Sequence, residues 1–122
     1  MRNLTAFVFI CLTLTSCSLF EKNGIEVQIK NATKETVTQV EFSTTEKLES
    51  VVLDSIGPNI QYTGFLPMSK NKVDGRYTLS FIRSNGKKEI VGKGYYSNGA
   101  ALNNRVLIEV KRDTTVFEFV TP

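Results

Sequence analysis

The sequence predicts an all-β fold: a small antiparallel β-sandwich of about seven to eight strands, with a small β-barrel as the alternative that the same pattern allows. Three observations lead there. Apolar residues recur with period two along most of the chain, and no segment sustains a 3.6-residue period. Turn signals built from Gly, Pro, Asn and Asp return at short intervals between those runs. No internal repeat or low-complexity segment interrupts the pattern.

Ile25 to Lys30 alternates cleanly, with Ile25, Val27 and Ile29 on one face, and Asn31 to Glu35 reads as the turn that follows. Val37 to Ser43 is a second strand burying Val40 and Phe42; Val37 is out of phase with both, which points to a bulge or twist near the strand start. Val51 to Ile56 is the third run, closed by Gly57-Pro58-Asn59 because Pro has no N–H for a ladder. Gln61 to Leu66 is the fourth, ended by Pro67, and Met68 to Asp74 reads as polar loop.

Arg76 to Gly94 is the best-specified unit. Asn85-Gly86 suits a two-residue type I′ turn, in which both central residues take positive φ. Pairing outward from it sets Phe81 opposite Ile90, Leu79 opposite Gly92 and Tyr77 opposite Gly94, large side chains covering glycines. The other face, with Ile82, Lys87, Glu89, Val91 and Lys93, is then mixed and wet. Tyr95-Tyr96 extends the strand to the Ser97-Asn98-Gly99 turn, with one tyrosine facing the core and the other facing solvent. Arg105 to Lys111 pairs with Thr114 to Val120 around Arg112-Asp113, bringing Val106, Ile108 and Val110 together with Phe117 and Phe119.

Ahead of the strands stands a segment of another kind. Met1-Arg2-Asn3 supplies a short positive end, and Leu4 to Leu14 is apolar apart from Thr5 and Thr13. A helix of that length spans about 16 Å, against roughly 30 Å of bilayer hydrocarbon. That suits an export signal and not a membrane span. The expected organisation is a signal peptide over residues 1–16, a tether over 17–24 and one domain over 25–122. The Leu14-Thr15-Ser16-Cys17 stretch directly behind the apolar run resembles the signal of bacterial lipoproteins. The resemblance implies diacylglycerol on the Cys17 sulfur, cleavage between Ser16 and Cys17, and a membrane partner held through the lipid. Each buried CH₂ of such an anchor contributes about 0.8 kcal/mol. Ser18, where inner-membrane retention would use Asp, implies the outer membrane. The region after the tether resembles, in architecture alone, immunoglobulin-like modules of exported bacterial lipoproteins.

Composition narrows the chemistry. The chain contains no His and no Trp, and its two cysteines are Cys11, in the leader, and Cys17. Ser-His and Cys-His nucleophile pairs are therefore unavailable to the domain, as are thiolate and imidazole metal sites. No catalytic residue, metal site, cofactor or nucleic-acid partner is expected. The charge beyond residue 16 is +2, from fourteen basic and twelve acidic residues, but it is uneven. Residues 17–69 carry −3, residues 70–93 carry +5 and residues 94–122 are neutral. The hairpin over 76–93 is thus basic, a surface for an acidic envelope partner or the ordinary solvated charge that protects a sheet edge. Arg76, Lys87, Lys93, Tyr95 and Tyr96 are the candidate partner-binding residues.

Ser84-Asn85-Gly86-Lys87 spells the Ser-x-x-Lys of penicillin-binding enzymes, but that motif needs the serine at a helix start and Asn-Gly makes this a hairpin tip. Glu41, Glu46, Glu49, Asp54 and Asp74 are the carboxylates a glycan hydrolase would pair across a cleft. Tyr62, Phe65, Tyr95 and Tyr96 are the aromatics a sugar would stack on. Ser55 and Thr114 sit in Asp-Ser/Thr-apolar triplets resembling the O-glycosylation acceptor of Bacteroidetes, and Asn31-Ala32-Thr33 matches an N-glycosylation acceptor. The functional expectation is a lipid-anchored, non-enzymatic binding or scaffolding module of the cell envelope. The alternative is a small inhibitor or ligand-binding protein that uses the basic hairpin, and a carboxylate hydrolase stands behind both.

Overall fold

Nine strands form within residues 23–121, the span that this computed structural model describes. The leader and the Ser16–Cys17 junction lie outside the described residues. The strands are β1 (Gly24–Asn31), β2 (Val37–Thr44), β3 (Ser50–Ile56), β4 (Gln61–Pro67), β5 (Gly75–Ile82), β6 (Lys88–Ser97), β7 (Ala100–Ala101), β8 (Arg105–Val110) and β9 (Thr115–Val120). They build two packed sheets, one of four strands in the order β4-β1-β8-β9 and one of five in the order β3-β2-β5-β6-β7. The fold is an all-β sandwich, with the two-residue β7 as an addition to the sequence reading.

One pairing departs from the antiparallel expectation: β1 runs parallel to β8, from Glu26 opposite Arg105 to Asn31 opposite Val110. Side-chain alternation is the same in either direction, so it carries no information about strand sense. The long connection that a parallel pair requires is supplied by β2 to β7: β2 and β3 cross to the second sheet, β4 returns to pair with β1, and β5 to β7 cross again before the chain comes back as β8.

The inner rows explain which residues are apolar. In the four-stranded sheet, Ile29, Ile108 and Phe117 lie side by side, and Val27, Val106 and Phe119 form the next row. In the facing sheet Val51, Phe42, Leu79 and Val91 are aligned across four strands. Tyr77 joins the layers: it stacks on Phe42 with ring centroids 5.8 Å apart and meets Phe119 of the opposite sheet at 5.6 Å. As its phase in the sequence indicates, β2 is irregular at its start: the register shifts between Thr38 and Glu41, and Gln39 takes a φ of 48°. The 68–74 loop is less solvated than its composition suggests, since Met68 and Asn71 are both buried.

The β5–β6 hairpin has a different register from the one read in the sequence. Asn85 does not take positive φ; Gly86 alone does, at 87°. Gly86 donates to the Arg83 carbonyl (2.9 Å), and the Arg83 N–H donates to the Lys87 carbonyl (2.8 Å). This is a type I turn followed by a left-handed glycine bulge, one residue longer than the type I′ turn. The slip moves the β6 side chains from Lys88 to Lys93 to the other face, and the bend at Gly94 restores the expected phase at Tyr96. Phe81 now opposes Glu89, Leu79 opposes Val91 and Tyr77 opposes Lys93, while Ile90 faces outward and is 70% exposed. Glu89 is tolerated on the inner side because Arg83 folds over it, with Nε and Nη2 2.8 and 2.7 Å from the same carboxylate oxygen. The guanidinium also lies 5.2 Å over the Phe81 ring.

The expected cover of Gly94 by Tyr77 is likewise replaced. Phe119, from the other sheet, lies directly on Gly94. A later Asn-Gly pair forms the type I′ turn: Asn98 and Gly99 take φ values of 51° and 77° between the paired Ser97 and Ala100.

Gly86 and Gly99 both occupy the left-handed region but differ in surroundings. A Cβ on Gly86 meets nothing within 4 Å, whereas one on Gly99 collides with the Asn71 carbonyl. Gly86→Ala should therefore cost about 1 kcal/mol of backbone strain. Gly99→Ala should cost about 3 kcal/mol, because overpacking adds to the same strain. Urea unfolding of the two variants measures the difference.

Candidate functional site at the basic pole

The turns at residues 32–36, 83–87 and 111–114 gather at one end of the sandwich, opposite the end where β1 begins. Asn31 organises this pole. It is fully buried, and its Nδ2 donates to the carbonyls of Glu35 (2.7 Å) and Ile56 (2.9 Å). Its Oδ1 accepts from the Thr33 N–H (3.0 Å) and hydroxyl (2.6 Å), which folds the 32–36 turn onto the strand end. The Asn85 side chain accepts from the Lys87 N–H (2.9 Å), and the Ser84 hydroxyl donates to the Glu35 carboxylate, joining the first turn to the second. Between them lies a cleft of about 470 Å³ lined by Lys34, Glu35, Arg83, Ser84, Asn85 and Arg112 among others.

This pole is electropositive. Lys34, Arg83, Lys87, Lys88, Lys111 and Arg112 stand on or beside its turns against two turn carboxylates, Glu35 and Asp113. Arg83 is neutralised by Glu89, but Lys34, Lys88 and Lys111 form no ion pair among the described residues. The Arg112–Asp113 pair is 3.7 Å long and solvated on both sides, so it holds little energy and leaves the guanidinium free to engage a ligand. The arrangement suits an anionic group.

Only part of this follows from the local sequence. Of the expected partner-binding residues, Lys87 lies at the pole. Arg76 is on the outer face of β5, where its Nη2 donates to the Gly92 carbonyl (3.2 Å). Lys93 lies along the β6 edge. Tyr95 is half exposed and donates to Asp74 (2.8 Å). Tyr96 is not a binding residue: the bend at Gly94 (φ 77°) turns it into the core, fully buried, where its hydroxyl donates to Glu46 (2.7 Å). Lys34, Lys111 and Arg112, which complete the pole, sit far from the 76–93 hairpin in sequence, and only the fold brings them beside it. Ser84 and Lys87 do not form a nucleophile pair, because each is engaged by a separate carboxylate, Glu35 and Glu89. Asn31 has both its donors committed inside the fold, whereas Ser55 and Thr114 are exposed.

Two of the candidate carboxylates occupy the other pole, and both serve the fold. Burial raises the pKa of Glu46, but the Tyr96 hydroxyl and the N–H groups of Lys72 and Val73 outweigh it and hold the carboxyl below its ordinary range. Asp74 is lowered first by the Asn98 N–H (2.8 Å) and then by the Tyr95 hydroxyl. A general acid for glycoside cleavage needs the opposite shift. Among the described residues no three potential ligands converge to hold a metal.

No family model and no curated protein matches this chain. Among solved structures it is similar to a protein from Eubacterium rectale determined by NMR, with a TM-score of 0.51 and 12% identity, over 83% of this chain and 92% of that one. At that identity the likeness shows the fold alone.

Acid should loosen the Glu46–Asp74 pole. Both groups ionise more readily folded than unfolded, so their contribution is complete above the ordinary values of 4.5 and 3.8 and is lost as the pH falls through the lower folded values. Urea midpoints measured across that window should fall with pH, and Glu46→Gln combined with Asp74→Asn should flatten the dependence.

Proposed function

We propose that this chain is a lipid-anchored, non-enzymatic binding module of the cell envelope, held at Cys17 and presenting its basic pole to an acidic partner. The observation that carries the anchor is Leu14-Thr15-Ser16-Cys17 behind the apolar run that opens at Leu4. The direction of β1 supports the presentation. The strand starts at Gly24, next to the tether, and ends at Asn31, where the cleft begins. Eight residues of strand place the cleft about 26 Å farther from the tether than the start of the domain. An outer-membrane address is part of this proposal, as is a tether that starts at Cys17; it is shorter than the 17–24 read from the sequence, because Asn23 and Gly24 already belong to the domain. The absence of His and the committed state of Glu46 and Asp74 favour binding over hydrolysis.

Cys17→Ala should accumulate as an unprocessed precursor of full-length mass, while the parent chain extracted from its membrane in detergent should have the mass of a chain starting at Cys17 plus acyl groups. Intact-mass measurement reads both, and normal processing of the variant would refute the anchor. For the partner face, polyglutamate serves as the probe. Reversing Lys34, Lys87 and Arg112 to Glu should weaken its binding about tenfold at low salt and remove most of the salt dependence. Arg76→Glu, on the outer sheet face, should leave binding nearly unchanged. Binding indifferent to salt and to the triple reversal would count against an acidic partner.

A further inference from the structure

We infer that the free edge of β9 is a strand-addition site for an extended acidic peptide segment of a partner protein. Among the described residues β9 pairs only with β8. The Lys111 N–H donates to the Thr114 carbonyl (2.8 Å) beside a two-residue turn, so the bonded pairs alternate along the hairpin through Glu109–Val116, Leu107–Glu118 and Arg105–Val120. The backbone N–H and C=O groups of Thr115, Phe117 and Phe119 therefore point away from β8, toward the open edge.

The other edges carry the features that block pairing. Along β6 these are Lys88, Lys93 and the bend at Gly94; β4 ends in Pro67, and β3 exposes Asp54. β9 has no proline, no basic residue and no bend, and its one charged side chain, Glu118, lies on the outer face of the sheet. It reads Thr-Val-Phe-Glu-Phe-Val in unbroken register, without Pro, Lys or Arg, and Val116 is exposed beside the half-buried Phe117 and Phe119. Six such residues match what strand-addition partners recognise.

Charge selects the occupant. A groove of about 450 Å³ runs between the β6 edge and the start of β9, with Lys87 at one end, Lys93 at the other and Val91 between them. Glu89, also in the groove, is held by Arg83 at 2.7 Å and only loosely by Lys87 at 3.7 Å, a solvated contact that a peptide carboxylate can share. A strand added to β9 turns alternate side chains into this groove, where acidic, apolar and acidic residues in succession meet Lys87, Val91 and Lys93. A second copy of the chain fits poorly. Its β9 has one carboxylate, Glu118, which alternates with the inward Phe117 and faces away from the groove. The groove adjoins the basic pole through Lys87, which does not line the cleft there, and the site does not depend on the anchor.

The test is backbone amide exchange of the full chain in mild detergent with the peptide Thr-Asp-Thr-Val-Thr-Asp-Thr at millimolar concentration. Exchange at Thr115, Phe117 and Phe119 should slow at least about tenfold, and a peptide with Lys in place of Asp should give no slowing. Thr115→Pro removes one edge-directed N–H and no bond to β8, so it should abolish the effect at an unchanged urea midpoint. Should that variant fail to fold, Lys87→Glu with Lys93→Glu, both at exposed positions, should reverse the preference toward the Lys peptide. Lys34→Glu with Arg112→Glu should leave the protection intact, which separates this edge from the cleft. Unchanged exchange with either peptide overturns the proposal, and so does equal protection by both. Protection that grows with protein concentration in the absence of peptide also overturns it, by assigning the edge to a second copy.

Discussion

Tyr77 is the contact on which both layers depend. It is fully buried, stacks on Phe42 within its own sheet, meets Tyr96 at 5.7 Å and reaches across to Phe119 of the other sheet. Its hydroxyl, 3.6 Å from the Met68 sulfur, has no water to ionise into, and burial with Tyr96 nearby pushes its pKa to about 12. A neutral phenol in this position ties β5 to β2 and β6, to β9 and to the 68–74 loop at once. A domain with no described disulfide or metal relies on such a cluster, because aromatic side chains bury the most apolar area per residue.

The two ends of the sandwich divide their work through polar chemistry. At the end where β1 begins, Glu46 and Asp74 are consumed by backbone N–H groups and tyrosine hydroxyls, which fasten the 68–74 loop and the Asn98-Gly99 turn to the core. At the far end the buried Asn31 fastens the turns, and the charged side chains are left over for solvent or a ligand. Carboxylates spent inside the structure and cations left outside it make the domain electrically polar, although its net charge is small.

The β5–β6 hairpin shows where sequence reading stops. Asn85-Gly86 and Asn98-Gly99 carry the same dipeptide, yet one makes a bulged type I turn and the other a type I′ turn. The isolated dipeptide favours I′ through its tolerance of positive φ. At Asn85 that preference loses, because the longer turn lets Arg83 fold onto Phe81 and Glu89, a gain invisible to local pattern. One residue of register then decides that Val91 and Glu89 face inward and Ile90 outward. Tyr95 and Tyr96 follow the same logic: alternation requires them to diverge, and packing chooses Tyr96 for the core.

What the sequence determined by itself is the β class, the eight longer strands, the irregular start of β2, the β8–β9 hairpin around Arg112-Asp113 and the apolar rows that meet in the core. These depend on period two and on turn residues, both local properties of the chain. The tertiary structure alone decided the parallel β1–β8 pairing, the register of β6, the burial of Met68 and the assembly of Lys34, Lys111 and Arg112 around the hairpin tip. Each of these depends on which segments lie side by side after folding. Alternation is blind to strand direction, and charges from three distant turns become neighbours only when the two sheets close on Tyr77.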